Sequence, residues 1–154
     1  MKFKGNDLVH SIGSPVRILE YRVKYPSKLG AGEGTQLNGI VHFTSKAESH
    51  QGLCHGGGMC SIMDDAIAWI GFCVTGECKP WSGFTVQINT SLMKPVKVGQ
   101  ILLLRLKIDK VERRKVFASA ELVDPDGNSD DGQECIHARG DGLVIVNRGV
   151  MDGH

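Results

Sequence analysis

The strongest constraint on the fold is the stretch from Gly52 to Gly76, GLCHGGGMCSIMDDAIAWIGFCVTG. It opens with a histidine and three glycines, continues from Met59 with apolar residues at helical spacing, and ends at a glycine that can stop a helix. A helix this apolar is expected to lie against a sheet at the centre of the core. Asp64 and Asp65 interrupt it and need an explanation, because carboxylates are rarely buried unless they are paired.

The size and charge of the chain exclude several classes of protein. Its 154 residues predict one domain over the whole chain, with loose ends at residues 1–15 and 147–154. With 18 basic and 17 acidic side chains, it has no charge excess that favours nucleic acid or an anionic membrane. No apolar run reaches the roughly 20 residues of a membrane-spanning helix. The protein is therefore not expected to be an integral membrane protein.

The compartment is predicted from the first residues and from the cysteines. The start, MKFKGNDLVHSIG, lacks the apolar block of a signal peptide, which favours the cytoplasm; a mitochondrial location stays open if a targeting segment is missing. The five cysteines are odd in number and form no CxxC motif, so reduced thiols are expected rather than a disulfide framework.

Strand periodicity surrounds the helix. Alternating apolar residues predict strands over 16–25 and 36–43 before it, and over 83–93, 101–111, 116–123 and 134–146 after it. Residues 124–132 are predicted as a hairpin loop. Strands joined by hairpins pair antiparallel. The expected architecture is α+β in two layers, a curved antiparallel sheet of about six strands wrapped around one long central helix.

The start of the helix can bind an anion or a developing oxyanion. Glycines let another molecule approach the backbone, and the first helical turn has free N–H groups, here most naturally those of Gly57 and Gly58. A purely structural role, a tight turn into the helix, stays open. Asp64 shares a flank of the helix with small residues, where a carboxylate suits a nucleophile or general base, whereas Asp65 lies on the opposite flank.

The spacing along the helix predicts self-association. Gly57 and Asp64 are seven residues apart, about 10 Å along a helix axis. An oxyanion donor and an attacking group must both lie about 3 Å from one reacting centre, so one helix cannot supply both. Two antiparallel copies can, which predicts at least a homodimer, or a dimer of dimers, with shared sites.

No metal site is expected. Cys54, His55 and Cys60 lack a fourth ligand at a sensible spacing for zinc. In a calcium loop that begins at Asp124, the sixth and twelfth residues would be glycine and glutamate, but they are serine and cysteine.

Two motifs resemble those of hotdog-fold acyl-CoA thioesterases, of the phenylacetate-pathway type and the mammalian thioesterase-superfamily-member type. The first is His55-Gly56-Gly57 followed by Asp64 nine residues after the histidine. The second lies in TVQINTSLMKP and comprises Thr85, Asn89 and Lys94-Pro95. The resemblance covers residues 36–146 and implies a single hotdog thioesterase domain.

The resemblance also implies a role for each motif residue. Asp64 would activate water or attack the thioester directly, and the backbone amide of Gly57 would hold the thioester oxygen. His55 would position that loop and polarise the carbonyl, and Thr85 would orient the water or Asp64. Substrate-binding roles would fall to Gly56, Gly58, Asn89 and Lys94.

The implied activity is hydrolysis of an acyl-CoA to a free acid and coenzyme A in lipid metabolism. No cofactor is expected, since coenzyme A is part of the substrate. Aromatic and medium-to-long aliphatic acyl groups are both open. The alternatives are a non-catalytic acyl-CoA-binding hotdog module, which would need no helix carboxylate, and a hotdog dehydratase.

Overall fold

A computed structural model describes residues 7–26, 32–128 and 132–151. The elements in chain order are β1 (Val16–Lys24), β2 (Gln36–Phe43), a 3₁₀ turn (Ser45–Ala47), β3 (Glu48–His50), β4 (Leu53–Cys54), α1 (Gly56–Phe72), β5 (Gly83–Leu92), β6 (Ile101–Glu112), β7 (Lys115–Asn128) and β8 (Glu134–Val146).

Six strands form one sheet in the order β1-β2-β6-β7-β8-β5, and every neighbouring pair is antiparallel. Helix α1 packs on this sheet, mainly against β5, β7 and β8. The predicted α+β arrangement of six antiparallel strands and one long helix is therefore confirmed. Strand β5 follows α1 in the chain but pairs only with β8 within this sheet, so it is an edge strand beside the helix.

The core explains how the helix is held. Its apolar stripe is fully buried and consists of Ile62, Met63, Ala66, Ile67 and Ile70. The central strand β6 buries every second residue against it, namely Leu102, Leu104, Leu106 and Ile108. Each such side chain contributes about 1.5–3 kcal/mol when it is fully buried. This burial fixes the rotation of α1, and with it the directions of its polar flanks.

Two features of the strands differ from the sequence prediction. A short antiparallel pair, β3 with β4, precedes the helix and was not predicted. Strand β7 continues to Asn128, so the predicted loop over 124–132 is wrong for its first five residues. In this extension Asp124 pairs with Cys135 and Asn128 pairs with Glu134, across an irregular register.

The cysteines also differ from the prediction. Cys73 and Cys78 form a disulfide, because the chain turns directly after α1 and returns to the end of the helix. The expectation of reduced thiols is wrong for this pair. The other three cysteines, Cys54, Cys60 and Cys135, are free thiols.

The described parts of the predicted loose ends pack on the domain. Val9 is buried in the core, and its carbonyl accepts a hydrogen bond from the Ile18 N–H at 2.7 Å. At the other end, Val150 and Met151 pack against the core. Residues 1–6 and 152–154 lie outside the described residues.

Candidate active site

The first turn of α1 is built by a histidine cap. The three glycines are the first three helical residues, and His55 is the N-cap. The Gly57 N–H donates to His55 Nδ1 at 2.8 Å. Because Nδ1 accepts this bond, the neutral ring carries its proton on Nε2. His55 is exposed, so its Nε2–H can donate to a ligand at the end of the helix that favours negative charge.

Close contacts at this turn favour glycine, most clearly at Gly57 and Gly58. A Cβ on Gly57 would lie 2.9 Å from His55 Nδ1, and one on Gly58 would lie 2.9 Å from a methyl carbon of Val16. A Cβ on Gly56 would meet only the flexible end of Leu92, at 2.8 Å. The tight-turn explanation of Gly57 and Gly58 therefore applies. The Gly58 N–H donates to the His55 carbonyl at 2.9 Å, which leaves the exposed Gly57 as the better candidate for an oxyanion donor.

A crevice of about 280 Å³ opens beside this turn. Its lining includes the apolar side chains of Leu8, Val9 and Val16 together with His55 and Gly57. The predicted oxyanion residues are thus next to a partly apolar cavity. In this structure the Gly57 amide is held by the His55 ring, so it can bind another acceptor only when that ring turns away.

Asp64 lies in a second cavity, on the flank of α1 that faces β5. This groove has a volume of about 620 Å³, and both Asp64 and Thr85 line it. Asp64 is exposed, and no hydrogen bond or ion pair holds it within the described residues. Cys60 and Ser61 line the same groove. The carboxylate is therefore accessible to water and to a ligand.

Asp65 has the opposite environment. Its Oδ2 accepts hydrogen bonds from the Tyr21 hydroxyl and from His10 Nε2, both at 2.8 Å. Burial alone would lower the pKa of His10, but the hydrogen bond and the charge of Asp65 outweigh it and raise that pKa. Burial, together with Asp65, also raises the pKa of Tyr21 well above its usual value, so the phenol stays a donor. Asp65 is a structural carboxylate that joins α1 to β1 and to the segment before it.

The remaining predicted residues lie away from the Asp64 groove. Asn89 donates from its side-chain amide to Asp141 at 2.9 Å and lines a cavity with Arg105 and Arg139. Lys94 follows β5, and its ammonium lies 3.6 Å from the Cys135 sulfur. Their roles in substrate binding stay predictions.

Three residues at or beside the site are not found from the sequence. Ser61 lines both cavities, and its hydroxyl donates to the Gly57 carbonyl at 2.9 Å. His10 and Tyr21, which bind Asp65, are 55 and 44 residues from it along the chain. Only the i, i+4 spacing of Ser61 and Gly57 gave a local signal.

No described helix is both long and apolar enough to cross a membrane.

The comparison with protein families gives one clear match. The family model described as the thioesterase superfamily matches residues 51–130, which include α1, β5 and β6. The acyl-coenzyme A thioesterase THEM4 of Bos taurus is 27% identical over 94 residues, which make up 61% of this chain and 34% of that protein. The chain spans about half or less of the length of the curated relatives it matches.

Solved structures match the fold over most of the chain. Zebrafish thioesterase superfamily member 2 superimposes with a TM-score of 0.61 at 19% identity, covering 87% of this chain and 83% of that one. A Streptococcus mutans protein solved bound to acetyl-CoA superimposes with a TM-score of 0.57 at 17% identity, covering 85% and 92%. The predicted hotdog fold is confirmed by this likeness and by the strand order.

Proposed function

Because the chain belongs to the thioesterase superfamily, we propose that it hydrolyses the thioester bond of an acyl-CoA. The observation that carries this proposal is the difference between the two aspartates. Asp65 is held by two hydrogen bonds, whereas Asp64 is exposed in a groove beside Thr85. A general base needs access to water and an oxygen free to accept a proton, and of the two aspartates Asp64 is the exposed one without a hydrogen-bond partner among the described residues.

In the proposed reaction, Asp64 accepts a proton from a water molecule while the water oxygen attacks the thioester carbonyl carbon. The carbonyl oxygen becomes an oxyanion. The carbon–sulfur bond then breaks, and the leaving coenzyme A sulfur takes the proton from Asp64, which gives free acid and free thiol. Direct attack by the carboxylate, through an anhydride that water hydrolyses, is the other route. Thr85, which lines the same groove as Asp64, would orient the water.

The oxyanion would be stabilised at the start of α1. A preorganised donor of this kind is worth about 10²–10³ in rate. His55 Nε2–H is an exposed donor while Nδ1 caps the helix, and the Gly57 amide is the donor instead when the ring turns away. Both act where the helix dipole favours negative charge.

We also propose that the active unit is a homodimer with sites shared between subunits. Along α1, the seven residues from Gly57 to Asp64 span about 10 Å, too far for one chain to bring both to one carbonyl. The groove of Asp64 borders the edge strand β5, whose outward side chains Phe84 and Val86 are 56% and 54% exposed. Pairing β5 with its copy would cover these side chains and the open strand edge.

The proposal is tested with the matched variants Asp64→Asn and Asp65→Asn. Hydrolysis of a panel of aromatic and aliphatic acyl-CoAs is followed by the thiol released, with the thiol reagent added after quenching because the protein has free cysteines. Loss of a general base costs about 10²–10⁴ in rate. We therefore expect Asp64→Asn to lower kcat/KM at least about 100-fold, while Asp65→Asn keeps turnover within a few-fold.

Circular dichroism of both variants checks that the fold is retained. Wild-type turnover in Asp64→Asn would contradict the proposed role of this residue. If wild-type protein binds acyl-CoA but releases no thiol from any member of the panel, the chain is a binding module instead.

A further inference from the structure

A second cluster of reactive side chains lies near the turn between β7 and β8, apart from both cavities of the proposed active site. It consists of Asp124 on β7 and of Cys135 and His137 on β8. Cys135 and His137 are two residues apart, a spacing that places side chains on one face of a strand, and Asp124 is the cross-strand partner of Cys135. One candidate ligand atom from each residue lies within 4.8 Å of the other two.

A β-bulge contributes to this arrangement. Leu122 pairs with Ala138 and Val123 pairs with Ile136, so His137 is the extra residue on β8. Bulges redirect side chains and are common beside functional sites. The His137 side chain is turned into the protein, and the residue is only 5% exposed.

The hydrogen bonds of His137 prepare it as a ligand. Its Nδ1 lies 3.0 Å from the Pro95 carbonyl oxygen, which can only accept, so Nδ1 carries the proton. The lone pair is then on Nε2, which lies 3.7 Å from the Cys135 sulfur. An imidazole whose second nitrogen is tied to a backbone carbonyl is the usual arrangement at a metal ion.

The distance between the Cys135 sulfur and His137 Nε2 suits a tetrahedral ion. A sulfur ligand at about 2.3 Å and a nitrogen ligand at about 2.0–2.1 Å subtend a tetrahedral angle when they are about 3.6 Å apart. The observed sulfur–nitrogen separation of 3.7 Å matches this value. Gly127 packs directly against the cluster, since a Cβ there would lie 2.9 Å from Asp124 Oδ2 and 3.0 Å from Cys135 Cβ.

Three other polar groups contact Asp124 or Cys135. The Gln100 amide donates to Asp124 Oδ2 at 3.3 Å, and the Asp126 N–H donates to Asp124 Oδ1 at 3.0 Å. The ammonium of Lys94 lies 3.6 Å from Cys135 and is exposed. A divalent ion bound by one thiolate, one carboxylate and a neutral imidazole gives a neutral centre, and the flexible lysine can move away.

We propose that Asp124, Cys135 and His137 bind a divalent transition-metal ion of the zinc class, with water in the fourth position. A thiolate and an imidazole favour such ions over Mg²⁺ or Ca²⁺, which prefer oxygen ligands. The site joins the hairpin to the turn after β5 through Pro95 and to the start of β6 through Gln100. It stands independently of the proposed hydrolytic activity.

Co²⁺ is the probe, because tetrahedral Co²⁺ absorbs visible light and thiolate coordination adds a charge-transfer band in the near ultraviolet. Titration of wild-type protein is expected to give both signals with one equivalent of Co²⁺. Added Zn²⁺ should abolish them, since it binds such sites more tightly. Zn²⁺ should also raise the midpoint of thermal unfolding, as any ligand that binds only the folded state does.

Three ligand variants and one control test the assignment. Cys135→Ser should abolish the charge-transfer band, and Asp124→Asn and His137→Gln should each weaken Co²⁺ binding at least tenfold. Cys60→Ser, which removes an exposed thiol elsewhere, should leave Co²⁺ affinity unchanged. Circular dichroism checks the fold of each variant, and the isosteric Asp124→Asn and Cys135→Ser keep the test valid if His137→Gln fails to fold. Absence of the thiolate band in wild type, or its persistence in Cys135→Ser, overturns the proposal.

Discussion

At the scale of single residues, the adjacent aspartates Asp64 and Asp65 differ because consecutive helical residues are rotated by about 100°. That rotation carries Asp64 toward β5 and the open groove, and Asp65 toward β1 and its two donors. The helical spacing of apolar residues in the sequence is enough to predict that Asp64 and Asp65 lie on opposite flanks of α1. It does not predict His10 and Tyr21 as partners of Asp65, because the fold brings them together from distant parts of the chain.

The bond between His10 and Asp65 makes stability depend on pH. The folded-state pKa of His10 is raised, so its stabilising contribution is fully present below its ordinary pKa of about 6.5 and is lost as pH rises through the folded value. We expect the free energy of unfolding of wild type to exceed that of His10→Gln by more at pH 6 than at pH 8. Urea unfolding at both pH values measures this difference.

The matched control for this measurement is His50→Gln, at an exposed histidine on β3. It should leave the pH dependence of unfolding as in wild type. If His10→Gln and wild type lose stability in parallel between pH 6 and pH 8, the bond to Asp65 is not the source of the dependence.

At the scale of elements, periodicity predicts the helix and all six strands of the main sheet, because each buries one regular face. It misses β3 and β4, which are only three and two residues long and carry no periodic signal. It also misses the extension of β7, whose Pro, Asp and Gly residues are typical of turns. The disulfide was missed because a count of cysteines does not show that the turn after α1 brings Cys73 and Cys78 together.

The packing of α1 on the sheet depends on a glycine near the end of the helix. A Cβ on Gly71 would lie 2.8 Å from Cγ1 and 3.0 Å from Cβ of Val144 on β8. Gly71→Ala gains about 1 kcal/mol of helix propensity, but overpacking costs about 1–3 kcal/mol. We expect a net loss of up to about 2 kcal/mol in the free energy of unfolding, measured with denaturant.

The double variant Gly71→Ala/Val144→Ala tests the cause of that loss. The smaller side chain at Val144 removes the crowded methyl groups, so the two substitutions should be less destabilising together than the sum of their separate effects. Strict additivity would show that the contact between α1 and β8 does not limit this position.

At the scale of the whole molecule, the edge strand β5 and the two cavities along α1 are both explained by one proposed arrangement, a dimer formed through β5. The proposed oxyanion donors and Asp64 lie on the same helix but in separate cavities, and the edge strand β5, with its exposed Phe84 and Val86, borders the cavity of Asp64. A two-fold axis beside β5 would bring each cavity of one subunit next to the opposite cavity of the other.

Subunit mixing tests this arrangement directly. Asp64→Asn removes the carboxylate. Gly57→Pro removes the amide proton in the first helical turn, where helices tolerate proline, and it also displaces the His55 ring, which would lie 2.9 Å from a Cβ at this position. Each variant alone should be nearly inactive. When the two variants are refolded together in equal amounts, half of the dimers contain one subunit of each variant. Each mixed dimer has one intact site of two, so about one quarter of wild-type activity should return. Sedimentation of both variants as wild-type-sized dimers is the control. Recovery of no activity from mixed dimers would mean that each site is built within a single chain.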